Sequence, residues 1–168
     1  MPLPCLQSPE FNALKAEVLS FPRMSGYYKI ELVSVAELRR AGLSQQEVIE
    51  RLAQQWGEHE SLAAYQQKYS LPAPSPHELP TWDRSEGNSA DAVELLIYGL
   101  RGGSAIGHTV DTIPDAQAQA FAERFVGLFE RPRLYWGLGL GNPEYVFENG
   151  IILTDDEKAG MLLIIEND

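Results

Sequence analysis

Cysteine is nearly absent from this chain of 168 residues: Cys5 stands alone, so no internal disulfide can form and stability must come from the core. Basic residues are scarce, 13 against 24 acidic ones, a net charge of −11. A surface of that sign repels phosphates, so neither nucleic acid nor an anionic membrane is an expected partner. No apolar run approaches the roughly 20 residues of a membrane span. The opening Met1-Pro2-Leu3-Pro4-Cys5 has neither the basic start nor the apolar stretch of a secretory signal, so the cytoplasm is the expected address. The histidines are His59, His77 and His108, and none forms an H-x-x-x-H pair, so neither a metal nor another cofactor is expected.

Hydrophobic residues make up 44% and charged residues 22%, which fits a globular protein, and the length suits one domain. The charge is uneven. Residues 1–90 hold 8 basic and 11 acidic side chains (net −3), whereas 91–168 hold 5 and 13 (net −8). Opposite fields speed encounter, so the acidic half suits a partner with a basic surface.

Ser8-Pro9-Glu10 reads as a helix start, with Phe11, Leu14, Val18 and Leu19 at helical spacing and Phe21-Pro22 as its end. Tyr27 to Val33 alternates like a strand. Ser34-Val35-Ala36-Glu37 and Ser44-Gln45-Gln46-Glu47 each match a capping box. The first predicts a short helix closed by Gly42, the second a helix with Val48, Ile49, Leu52 and Trp56 on one stripe. A further helical run carries Leu62, Tyr65 and Tyr69. The proline-rich stretch 71–90 predicts a connecting loop, extended by Ser85 to Ser89. Beyond it, Val93 to Leu100 predicts a strand, Arg101-Gly102-Gly103 a turn, and Ser104 to Thr109 the returning strand. A helix is predicted from Pro114 to about Glu130, then strands over Arg133–Leu140 and Glu144–Phe147. Asn149-Gly150 predicts a turn before Ile151 to Leu153. Asp155 to Gly160 predicts a polar turn before a last strand, Met161–Ile165. The predicted fold is a single α+β domain over 1–168. A helical part with one strand (1–70) and the loop lead into a largely antiparallel sheet (91–168) with one long packed helix. The N-terminal helices are expected to cover one sheet face.

Gly137-Leu138-Gly139-Leu140-Gly141 resembles a dinucleotide-binding loop, but that chemistry needs a helix N-terminus immediately after the glycines, and Asn142-Pro143 follows instead. Strand alternation fits better, with Leu134 and Trp136 on one face and Tyr135 on the other. Gly99-Leu100-Arg101-Gly102-Gly103-Ser104 lacks the Gly-Lys-Ser/Thr ending of a phosphate loop. Leu43 to Ala53 resembles the first helix of a helix-turn-helix module, but the following run, Glu58 to Lys68, is acidic where it would meet phosphate. His108 with Asp111 is the one local acid/base pair, and Cys5 has no neighbouring activator.

These exclusions point to a non-enzymatic, protein-binding role. In size, acidity and lack of a catalytic motif the chain resembles bacterial immunity proteins, which neutralise a cognate antibacterial toxin by occlusion. Its close, Asn149-Gly150-Ile151-Ile152-Leu153 to Met161-Leu162-Leu163-Ile164-Ile165, is loosely similar to the end of one known immunity-protein fold. The expected partner-binding residues are Asp155, Asp156 and Glu157, extended by Glu144 and Glu148, with Tyr145 and Phe147 as aromatic anchors. An enzyme would instead need a pocket near His108 and Asp111, and a scaffold an exposed apolar patch over 44–69.

Overall fold

The computed structural model describes residues 2–22, 26–56, 67–68, 70, 85–101, 113–137 and 147–166. The chain is an α+β protein. Its elements are α1 (Pro9–Ser20), β1 (Tyr27–Ser34), α2 (Ala36–Arg40), α3 (Gln45–Trp56), β2 (Ser85–Gly87), α4 (Ser89–Arg101), α5 (Asp115–Val126), β3 (Arg133–Gly137), β4 (Phe147–Thr154) and β5 (Lys158–Glu166). The strands form one antiparallel sheet in the order β1-β5-β4-β3-β2.

Local chemistry explains the N-terminal elements. Ser8 Oγ accepts the Phe11 amide at 3.1 Å, capping α1 behind Pro9. Gly42, at φ +83°, ends α2 through hydrogen bonds from its own amide to Arg39 O and from Leu43 N to Leu38 O. This pairing needs the left-handed conformation that glycine adopts without a Cβ penalty. The second capping box forms in full: Glu47 N donates to Ser44 Oγ (3.2 Å) and Ser44 N donates to a Glu47 carboxylate oxygen (2.7 Å). The first box does not form. Ser34 is the last residue of β1, its hydroxyl accepts the Ala36 amide at 3.3 Å, and Val35 occupies the cap position without a side-chain bond.

Helices lie on both faces of the sheet, and the N-terminal helices α1 and α3 are divided between the two faces rather than gathered on one. Side chains of α1, α4 and α5 pack with Ile30, Leu134, Ile151, Leu153, Leu162 and Ile164 on one side. Those of α3 pack with Val33, Tyr135, Ile152, Met161, Leu163 and Ile165 on the other. Alternate residues of each strand thus enter separate cores. Double burial explains the unbroken apolar runs 151–153 and 161–165, since a two-sided strand has no polar face to alternate with. Val48, Ile49, Leu52 and Trp56 are all buried, so the stripe of α3 belongs to the core. On the first face Phe21, Phe121, Phe125 and Phe129 form a chain of rings with centroids 5.7 to 6.1 Å apart.

Five boundaries differ from the sequence reading. The polar turn expected over Asp155 to Gly160 is shorter, since Lys158 to Gly160 open β5 and pair with Ser34 to Leu32. Residues 93–100 are the body of helix α4, with Ala92, Leu96, Gly99 and Leu100 buried at helical spacing; Arg101 is its last residue rather than a turn. Ser85 to Gly87 is an edge strand paired to β3 rather than loop, and Asn88 is the cap of α4: its Oδ1 accepts Ala90 N (2.9 Å) and Asp91 N (3.1 Å). Asn149-Gly150 makes no turn; both lie within β4, paired to Ile164 and Leu163, and Phe147 belongs to that same strand. Helix α5 stops at Val126, with Gly127 as its cap, while Phe129 stays in the core. The elements expected over 102–112 and 138–146, and the helical run and loop over 57–66 and 71–84, fall outside the described residues.

Candidate partner-binding site

The β4–β5 turn, where the sequence places its acidic patch, forms one wall of a cleft of about 580 Å³. Four elements build it: Arg39 from α2, Gln45 from α3, Glu130 and Arg131 from the link between α5 and β3, and Arg133 from β3; Thr154 to Lys158 complete the lining.

The three acids of the turn have different environments. Asp155 is buried, at 8% exposure. One carboxylate oxygen accepts the amides of Glu157 (2.9 Å) and Lys158 (2.8 Å), and the other accepts the Glu130 amide (3.0 Å) and lies 3.2 Å from Lys158 Nζ. Burial pushes the Asp155 carboxyl upward. The amides of Glu130, Glu157 and Lys158, with the Lys158 ammonium, outweigh that and hold it below the usual aspartate range. Its backbone is fixed as well: Asp155 N donates to Lys158 O (3.0 Å) and Arg39 Nη2 donates to Asp155 O (3.0 Å). The Val35 amide donates to Glu157 O at 2.8 Å, tying the turn to β1. Asp155 is therefore an internal latch, and Asp156 and Glu157 are the exposed acids that it presents.

The cleft also carries cations. Arg131 and Arg133 are exposed, and Arg131 is held at φ +48°, a conformation that non-glycine residues rarely adopt. Arg39 Nε is buried without a hydrogen-bond partner. Lys158 Nζ, paired to Asp155, also stands 6.0 Å from the centre of the Phe129 ring. Deeper in, Gln45 Nε2 donates to Tyr135 Oη and to Thr154 Oγ1, both at 2.8 Å. The result is a polar surface of mixed sign, built from four segments of the chain around the β4–β5 turn.

Of the other residues singled out from sequence, Phe147 and Glu148 lie in β4, paired to Glu166 and Ile165, while Glu144, Tyr145, His108 and Asp111 fall outside the described residues. Arg39, Gln45, Glu130, Arg131 and Arg133 escaped the sequence reading because no local pattern joins them; they meet only through the sheet order. Among the described residues no group of three or more His, Cys, Asp or Glu is placed to hold a metal ion, and no helix is long and apolar enough to cross a membrane. Comparison with family models, curated proteins and solved structures gives no match to this chain.

Proposed function

We propose that this chain is an acidic binding protein that occludes a basic protein partner, of the kind that protects a cell by neutralising an antibacterial toxin. The observation that carries the reading is the fixed presentation of Asp156 and Glu157 by the Asp155 latch. Carboxylates held on an immobile turn lose little freedom on binding, so more of their interaction energy appears as affinity. The excess of 24 acidic over 13 basic residues adds long-range attraction for a basic partner. Arg131 and Arg133 across the cleft favour a partner that also carries acids at matching positions and disfavour a uniformly basic polymer.

The test is affinity capture from the source cells at low and high salt, with the wild-type chain and with a variant carrying Asp156→Lys and Glu157→Lys. A basic protein is expected to be retained by the wild type, released by salt, and lost on charge reversal by about tenfold or more. Co-expression of the chain is expected to relieve the toxicity of the captured protein. Retention indifferent to both salt and charge reversal overturns the role of the turn.

A further inference from the structure

A second surface, away from the turn, has the opposite construction. Asp91, Glu94, Leu95 and Tyr98 follow the i, i+3, i+4, i+7 spacing and so share one stripe of α4. The stripe is distinct from the buried one formed by Ala92, Leu96, Gly99 and Leu100. With Leu134 and Trp136, which share one face of β3, it lines a groove of about 310 Å³. Gly87 lets helix and sheet approach here: a Cβ on it would lie 3.0 Å from Asp91 Cβ and from Leu134 Cδ2. Tyr98 is 72% exposed and Trp136 half-buried. Thus the lining combines two aromatic rings, two leucines and two carboxylates, and among the described residues it holds no cationic side chain. One Asp91 oxygen is already engaged by the Asn88 amide at 2.9 Å, whereas Glu94 is exposed and makes no hydrogen bond or ion pair among the described residues.

We propose that this groove receives an arginine side chain of a basic protein partner. The guanidinium would stack on an aromatic face and pair with Glu94, and its aliphatic stem would lie along the partly exposed Leu95. Charge complementarity selects this occupant: a neutral apolar side chain would leave the Glu94 carboxylate unpaired against it, and an anion would meet two carboxylates. A compact lysine ammonium would gain the charge but not the planar stacking. The inference relies on the reading of the chain as a binder of a basic protein only for the source of the arginine.

The experiment uses the full chain and two small probes, N-acetyl-arginine methylamide and its uncharged analogue N-acetyl-citrulline methylamide. Binding is followed by the NMR signal of the Trp136 indole N–H, identified by its loss in Trp136→Phe. The arginine probe is expected to shift that signal saturably in the millimolar range, with citrulline about tenfold weaker. Tyr98→Ala and Glu94→Gln, both at exposed positions, are each expected to weaken the arginine response by a similar factor. Equal response to the two probes, an unmoved Trp136 signal, or an unchanged affinity in both variants overturns the proposal. The result is independent of the turn. A captured partner lost on charge reversal at Asp156 and Glu157 but retained in full by Tyr98→Ala would overturn the groove and leave the turn standing.

Discussion

The β4–β5 turn and helix α4 both pair a structural acid with acids left in water, yet they differ in what surrounds them. At the turn, Asp155 is surrounded by three backbone amides and an ammonium, and the free acids Asp156 and Glu157 share their cleft with Arg131 and Arg133. On α4, Asp91 accepts a single amide, and the exposed Glu94 stands beside Tyr98 and Trp136 with no cation among the described lining residues. The density of acids in the sequence does not separate the two kinds. The number of amides that converge on a carboxylate does, because each donor reached by folding makes the charge more costly to remove. Under the proposed reading, the turn would select by a pattern of charge and the groove by one cation with an apolar body.

The largest expected effect comes from removing the latch. Asp155→Ala leaves the Glu130, Glu157 and Lys158 amides without their acceptor and Lys158 without its partner, and is expected to destabilise the fold by about 3 kcal/mol. A lowered urea midpoint at unchanged slope is the measurement. The sign of the pH dependence follows from the depressed Asp155 carboxyl. Its contribution is complete above the ordinary aspartate value of about 4 and is lost as pH falls through the lower folded value. The gap between wild type and Asp155→Ala is therefore expected to narrow on acidification below that range. A gap that stays constant to strongly acid pH would mean that the ionised carboxylate is not what holds the turn, and the contrast with α4 would fail.

The same contrast marks how far the sequence can be read. Ser8, Ser44 with Glu47, and Gly42 act through neighbours a few residues away, and each element they bound is found where the spacing puts it. The turn expected over Asp155 to Gly160 is legible at its first three residues for the same reason, whereas Lys158 to Gly160 belong to β5 through pairing with Ser34 to Leu32; the latch is not legible, since the Glu130 amide that completes it is 25 residues distant. Residues 93–100 read as a strand because a short apolar run carries no clear period. The local signal was present in Asn88-Ser89-Ala90-Asp91, where an asparagine cap and an aspartate three residues on bond each other's amides. Asn149-Gly150 is the converse case. A strong turn dipeptide is held extended because β3 and β5 pair on either side of β4. Tertiary pairing overrides local preference in such a central strand.

A smaller effect is expected at the start of α4. Asn88→Ala removes the acceptor of the Ala90 and Asp91 amides and is expected to cost about 1 kcal/mol. Because the first turn of α4 carries Asp91 and leads into Glu94, the loss also loosens the acidic edge of the groove. Amide hydrogen exchange is expected to speed up over residues 89–92 while the β4–β5 turn stays protected. Exchange that rises equally at both places would show the two surfaces to be one cooperative unit.

The smallest expected effect is also the sharpest division between the regions. Glu94→Gln and Asp156→Asn each neutralise one exposed carboxylate that makes no hydrogen bond or ion pair among the described residues. Neither releases a buried donor, so each is expected to change stability by less than about 0.5 kcal/mol, which thermal and urea unfolding can confirm. A protein with net charge −11 repels itself, and removing one negative charge relieves a little of that, so any small change is expected to favour the fold. A destabilisation of the size expected for Asp155→Ala at either position would place that carboxylate among the structural acids and remove it from the binding surface. Free carboxylates confer no stability where they stand, which is the physical sense in which Asp156 and Glu94 are available to something outside the chain.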